Sequence, residues 1–120
     1  MAKPTVVITF DDTRKSVTGT TEAEVKNFRF SIHSAREKWS VMIVFATLWV
    51  TGGTGTLRVY VDAETTPRLS LSTTSTSETL VWGQMSIGDL ADGVHTARIR
   101  LVNSTAGQTT YTELLEVYAK

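Results

Sequence analysis

The stretch VMIVFATLWVTGGTGTLRVYV, residues 41–61, determines how the chain is expected to fold. Two runs rich in apolar and β-branched residues flank a turn of three glycines and one threonine at residues 52–55. In the second run Leu57, Val59 and Val61 alternate with more polar residues, which is the period of a half-buried β-strand. Because glycine reaches the positive φ that tight turns need, we expect a hairpin turn between two strands.

The same alternation recurs along the rest of the chain. Strong runs lie at residues 5–10, 25–32, 97–101 and 110–119, and weaker ones at 68–72 and 80–87. In the last strong run Tyr111, Leu115 and Val117 fall opposite Leu114 and Tyr118. The segment NSTAGQ, residues 103–108, is expected to be a second hairpin loop. About eight short strands indicate an all-β, antiparallel sandwich or barrel. We expect one domain over residues 1–120, with residues 1–24 forming an N-terminal strand and its connection.

Composition and charge argue against several classes of function. The chain has 12 basic and 12 acidic residues, so it lacks the basic excess expected of a nucleic-acid-binding protein. It has no cysteine, which excludes disulfides, thiolate zinc sites and thiol nucleophiles. No apolar run is long enough for a membrane span, and the N-terminus does not resemble a signal peptide. We therefore expect a soluble, unprocessed chain that needs no cofactor and inserts into no membrane.

The strand predicted at Val41–Val50 is apolar on both faces. In an antiparallel sandwich one face of a strand packs in the core, so a second apolar face needs a cover of its own. A flap of the same chain would supply that cover, and so would a second subunit. We predict an oligomer, with the even-numbered face as the candidate interface: Met42, Val44, Ala46, Leu48 and Val50.

Two longer segments resemble a known family. LWVTGGTGTLRVYVDAE (residues 48–64) and LADGVHTARIRLVNSTAGQTTYTELLEVYA (residues 90–119) resemble jelly-roll domains of the tumour-necrosis-factor-like type found in phage and bacterial proteins. In that family a strand ending in Val-Asp-Gly precedes a later strand with a Gly-x-His motif; here Ala63 follows Asp62 where the family has glycine.

The resemblance implies a two-sheet jelly roll, commonly assembled as a homotrimer around apolar strand faces, with no catalytic residue. Phage relatives commonly serve as tail fibres, receptor-binding tips or capsid decoration proteins. For a chain this short the resemblance suggests a virion-associated protein that docks as a homotrimer on a larger lattice such as a capsid.

The two histidines, His33 and His95, are the first candidates for catalysis. They are far apart in sequence and show no metal-binding spacing, and the chain has no G-x-S-x-G motif. We therefore predict no catalytic residue and no metal ligand set. By parity His95 lies on the face of Ala97, Ile99 and Leu101, where we expect a neutral imidazole that hydrogen-bonds a loop carbonyl.

Acidic and basic side chains leave two further alternatives open. The carboxylates at residues 62–64 and 89–92 could bind Ca²⁺, although Asp in short loops equally serves turn formation. The outward-facing guanidinia of Arg58, Arg98 and Arg100 are expected to pair across strands with Glu113 and Glu116.

The alternative function is a carbohydrate- or receptor-binding module. Exposed aromatic rings can stack on sugars, and jelly rolls are the scaffold of many carbohydrate-binding modules. Trp82 and Tyr60 are the candidate ligand-binding residues for such a glycan, although aromatic side chains also fill cores and interfaces.

Overall fold

The computed structural model describes residues 5–35 and 38–120. Within these ranges the chain forms nine β-strands and no helix, and hence no helical segment that could cross a membrane. The strands are β1 (Val6–Asp11), β2 (Lys15–Thr18), β3 (Ala23–Ile32), β4 (Val41–Val50), β5 (Gly55–Val61), β6 (Leu69–Thr73), β7 (Thr79–Ser86), β8 (Gly93–Asn103) and β9 (Thr109–Ala119).

The strands form two antiparallel sheets that pack face to face. The five-stranded sheet has the order β1-β9-β4-β7, with β2 also paired to β9, and the four-stranded sheet has the order β3-β8-β5-β6. These two orders place the first and last strands side by side and interlock the sheets as in a jelly roll. The predicted fold class, an all-β jelly-roll sandwich, is confirmed.

Both predicted hairpins are wrong, because the strands they join lie in different sheets. β4 belongs to the five-stranded sheet and β5 to the four-stranded sheet, and β8 and β9 are divided in the same way. The connecting loops bind each other instead: Asn103 Nδ2 donates to the Gly52 carbonyl at 3.0 Å, and Thr54 N donates to Ser104 Oγ at 2.8 Å. Gly53 has φ +68° and lies so close that an added Cβ would be 2.5 Å from Asn103 Oδ1. The glycines therefore allow the chain to cross from one sheet to the other in close contact with the neighbouring loop.

The core lies between the two sheets and is built by alternate residues of most strands. The four-stranded sheet contributes Phe28, Phe30 and Ile32 of β3 and Leu57, Val59 and Val61 of β5, which share one buried cluster with Met42, Val44, Ala46 and Leu48 of β4 in the other sheet. This is the alternation that predicted the strands, since inward residues of a sheet recur every second position.

A bulge in β9 breaks that alternation. The register with β4 passes from Ala46–Leu115 to Leu48–Thr112, so β9 carries one extra residue opposite Thr47. A bulge of this kind reverses the parity beyond it. Thr110 and Thr112 are therefore buried, while Tyr111 pairs with Trp49 on the outside. The prediction that Tyr111 shares a face with Leu115 is wrong.

Candidate functional site

The even-numbered face of β4 is not the exposed one. Each of its five side chains is at most 1% exposed and packs in the core of the same chain: Met42, Val44, Ala46, Leu48 and Val50. The assignment of this face to a subunit interface is therefore wrong, because no second chain can reach it. The odd-numbered face lies on the outside of the five-stranded sheet.

That outer surface carries a continuous apolar patch, which we call the outer patch. Four of its members are well exposed: Val7 by 60%, Phe10 by 61%, Leu80 by 58% and Trp82 by 59%. They lie on the outermost strands β1 and β7 and flank half-buried residues of β4 and β9. The outer patch consists of Val7, Phe10, Ile43, Phe45, Leu80, Trp82 and Tyr118.

Two cross-strand rows define the geometry of the outer patch. One row runs from Trp82 through Phe45 and Glu116 to Phe10, and the next from Gln84 through Ile43 and Tyr118 to Val7. Phe45 is central, because its ring stacks on Trp82 at 6.0 Å and meets the edge of Tyr118 at 5.9 Å. These are favourable aromatic geometries, so the rings hold one another in place.

A single carboxylate lies within this apolar surface. Tyr118 Oη donates a hydrogen bond of 3.1 Å to Glu116 Oε2, and this hydrogen bond raises the pKa of Tyr118. A shallow groove beside it is lined by Thr5, Ile43, Phe45, Leu80, Glu116 and Tyr118. The outer patch therefore combines apolar area with one acceptor that a neighbouring molecule could use.

A second aromatic group lies farther along the same sheet. Trp49 and Tyr111 stack at 5.2 Å, and the guanidinium of Arg14 covers Trp49 at 5.0 Å while it binds Glu113 at 3.0 Å. The cation closes one face of the Trp49 ring, which leaves this group less open than Trp82.

Tyr60 lies on the other sheet and is covered. Arg98 and Arg100 lie over its ring at 5.4 and 5.5 Å, and Tyr60 is only 8% exposed. Trp82 and Tyr60 are on opposite outer faces of a sandwich whose sheets stack about 10 Å apart, so they cannot form one ligand platform.

The arginines around Tyr60 do not pair as predicted. Arg58 binds Glu22 at 2.7 Å, and Arg100 lies 3.7 Å from the same carboxylate. Glu113 and Glu116 are on the five-stranded sheet and out of reach. Burial works against ionisation of Glu22, but hydrogen bonds from Tyr60 and Arg58 outweigh it and lower its pKa.

His95 is held by two acceptors. Its Nδ1 lies 2.7 Å from Asp62 Oδ2 and its Nε2 lies 2.7 Å from the Ala91 carbonyl oxygen. The hydrogen bond to Asp62, followed by that to Ala91, raises the pKa of His95. Since both nitrogens must donate, the imidazolium fits this site and the predicted neutral ring does not. Asp62, at φ +53°, also accepts from Thr96 N, so His95 fastens two loops to the start of β8.

The acidic loops considered for calcium are occupied by protein groups. Arg68 donates to both carboxylate oxygens of Glu64 and to both of Asp89, and Asp92 accepts from Ser34. No group of three or more potential metal ligands occurs within the described ranges. His33 is exposed, and its Nδ1 accepts from the Ala35 amide at 3.0 Å.

Lys26 is a buried cation that sequence reasoning missed. Its side chain is 2% exposed and its ammonium donates to the carbonyl of Glu113 in the β9 bulge, with Asp11 Oδ1 at 3.5 Å. Burial lowers the pKa of Lys26, and the nearby Asp11 carboxylate opposes that shift. The sequence contains a signal for this burial, because Lys26 has the same parity as the core residues Phe28 and Phe30.

The outer patch was not predicted as a unit. Four of its residues, Phe10, Ile43, Leu80 and Tyr118, lie on four different strands, so no local sequence pattern groups them.

No known protein-family model matches this chain, and no curated protein matches it in sequence.

Proposed function

We propose that this chain is a non-enzymatic assembly protein that forms a homo-oligomer through the outer patch. The observation that carries the proposal is the exposure of Val7, Phe10, Leu80 and Trp82 around the half-buried ring of Phe45. Phe10 and Trp82 alone leave on the order of 100 Å² each in water, given the size of these side chains. A contiguous apolar surface of several hundred Å² is typical of an interaction site.

A trimer that docks on a larger lattice is the form of assembly we favour. The support is the resemblance of residues 48–64 and 90–119 to tumour-necrosis-factor-like jelly rolls, which commonly form trimers around apolar strand faces. With the outer patch between subunits, the four-stranded sheet and its loops stay free to contact the lattice. We place the protein in or on a virion, as a capsid decoration or small virion protein.

The oligomer is tested by sedimentation velocity at tens of micromolar protein. Leu80→Asp places a charge in the outer patch and is expected to give a monomer with an unchanged β-sheet circular dichroism spectrum. Val94→Asp is the matched control, since Val94 is 60% exposed but lies on the four-stranded sheet. A monomeric wild type contradicts the proposal. So does an oligomer that persists in Leu80→Asp but dissociates in Val94→Asp.

The virion context is tested by the genes that flank the coding sequence. Capsid, portal or tail genes beside it agree with the proposal. A conserved metabolic operon around it would contradict the virion assignment while leaving the oligomer untouched.

The alternative is glycan or receptor binding through Trp82. The open ring of this residue, stacked on Phe45, has the geometry of a sugar platform, whereas the covered ring of Tyr60 does not. A glycan array with wild type and Trp82→Ala separates the two functions. A monomer whose glycan signal disappears in Trp82→Ala favours the alternative, and an oligomer without glycan signal favours assembly.

A further inference from the structure

Arg98 and Arg100 are partly buried guanidinia with few partners among the residues that the structure describes. Within the described ranges Arg98 donates one hydrogen bond, to the backbone carbonyl of Glu64 at 2.8 Å, and forms no ion pair. The single ion pair of Arg100, with Glu22, is long at 3.7 Å. The Nε atom of each guanidinium is buried and lacks an acceptor.

The neighbouring arginines show that this chain can satisfy a guanidinium fully. Arg58 binds Glu22 at 2.7 Å, and Arg68 is held by Glu64 and Asp89 together. A guanidinium has five N–H donors, and although the buried Nε–H is closed to a ligand, most of the Nη–H donors of Arg98 and Arg100 have no partner within the described ranges. An uncompensated, partly buried charge is costly, which points to an anion that completes the pair.

The two guanidinia are also held in place before any ligand arrives. Both lie within 5.5 Å of the centroid of the Tyr60 ring. Tyr60 itself is buried, with only 8% of its surface exposed. A concavity next to them is lined by Tyr60, Arg98, Arg100 and the turn at residues 62–65. Donors fixed in advance lose little conformational entropy on binding.

We propose that Arg98 and Arg100, held over Tyr60, bind a carboxylate on the acidic surface of a protein partner. The planar fork of a guanidinium matches a carboxylate in a bidentate arrangement. Glu22 lies next to Arg100, and Asp62 and Glu64 line the concavity, so the negative charges already present favour a monoanion over a dianionic phosphate. A sugar ligand would need an open aromatic ring to stack on, and the guanidinia close the ring of Tyr60.

This site lies on the four-stranded sheet, opposite the outer patch, so an oligomer could present it to another protein. The identification of the partner as a lattice protein rests on the proposed function, whereas the carboxylate site does not. Arginine and tyrosine are the residue types that most often dominate protein interfaces.

The experiment titrates the full chain with a blocked hexaglutamate peptide and follows the arginine Nε–Hε resonances by NMR. We expect saturable shifts at Arg98 and Arg100, and affinity that falls as salt is added. Arg98→Gln should weaken binding about tenfold or more, as expected for a lost charge-assisted hydrogen bond. Arg29→Gln is the matched control, because Arg29 is exposed on the same sheet face but has no contact with Tyr60. Arg98→Lys is a second variant in case Arg98→Gln does not fold. It keeps the positive charge but loses the planar guanidinium, so it should bind hexaglutamate more weakly than wild type does.

The outcomes separate this inference from the proposed function. Shifts that do not saturate, or an equal loss in Arg29→Gln, overturn the site. Tighter binding of polygalacturonate or inorganic phosphate than of hexaglutamate overturns the protein carboxylate as its ligand. Sedimentation of the same samples reports the oligomer independently. An oligomer that fails to bind hexaglutamate refutes only this inference, and a monomer that binds it in an Arg98-dependent way supports the site and refutes only the oligomer.

Discussion

The hydroxyl of Thr47 accepts a hydrogen bond from the backbone N–H of Leu114 at 2.9 Å, and a second from that of Glu113 at 3.3 Å. These two residues share the position opposite Thr47, where β9 contains its extra residue. A bulge leaves ladder groups unpaired, and here a side chain from the neighbouring strand supplies the missing acceptor. The bulge in turn brings Tyr111 to the outside, where it stacks on Trp49.

Replacing Thr47 by valine is expected to destabilise the fold by about 1–2 kcal/mol, because the amides of Leu114 and Glu113 lose their acceptor while the side-chain shape is kept. Urea unfolding followed by tryptophan fluorescence measures the change. Thr47→Ser keeps the hydroxyl and is the control, with a smaller loss expected. Equal stability of Thr47→Val and wild type would show that the hydroxyl does not support the bulge.

The bulge also shows where prediction from sequence reaches its limit. Period-two alternation located the strands, because most inward residues of β3, β5 and β8 are apolar and most of their neighbours are polar. It could not locate an inserted residue, because Glu113 and Leu114 carry no local signal that one of them is extra. Tyr111, which precedes the bulge, was therefore assigned to the wrong face.

Strand partners were equally beyond the reach of local patterns. The glycine-rich loop at residues 52–55 has the composition of a hairpin turn, yet it carries the chain from one sheet to the other. The choice depends on distant strands, since β4 pairs with β7 and β9 and never with β5. The same holds for the two apolar faces of β4: only the packing of the second sheet decides that Leu48 is inside and Phe45 outside.

The two faces of the five-stranded sheet are expected to respond differently to truncation. Leu48→Ala should cost about 2–5 kcal/mol, because Leu48 is completely buried and its removal leaves a cavity. Leu80→Ala should change the free energy of unfolding of the isolated subunit by less than about 0.5 kcal/mol, because Leu80 is exposed. Thermal and urea unfolding at low protein concentration make the comparison. Similar costs for the two variants would contradict the assignment of the faces.

Lys26 is expected to stabilise the contact between β3 of one sheet and the bulge in β9 of the other. Lys26→Met fills the same space but leaves the carbonyl of Glu113 without its donor, so the expected cost is about 1–3 kcal/mol. Lys15→Met is the control, since Lys15 is exposed on β2 and its loss should cost less than about 0.5 kcal/mol. A Lys26→Met variant as stable as wild type would mean that the buried amine contributes no net stability. Some buried ion pairs in proteins behave in this way.

His95 is expected to make the fold less stable as the pH rises above the ordinary pKa of histidine. Its bonds to Asp62 and Ala91 raise its pKa in the folded state above the value of 6.5 expected in the unfolded chain. The stability gained from protonation is therefore fully present below pH 6.5 and is lost as the pH rises through the folded-state pKa. Urea unfolding at a series of pH values from about 5.5 to 9 measures this slope.

His95→Gln tests the same site, because an amide can replace one of the two hydrogen bonds and cannot titrate. At low pH the variant should be less stable than wild type by about 1.5–3 kcal/mol, the range for hydrogen bonds to charged groups. The difference should shrink as the pH rises, since wild type loses its imidazolium and the variant has nothing to lose. The sedimentation coefficient should stay unchanged, because His95 lies outside the outer patch, and hexaglutamate should still bind, because His95 itself does not line the concavity beside Arg98. A wild-type slope that persists in His95→Gln would assign the pH dependence to another group, and lost binding with an unchanged melting temperature would make His95 a ligand-binding residue.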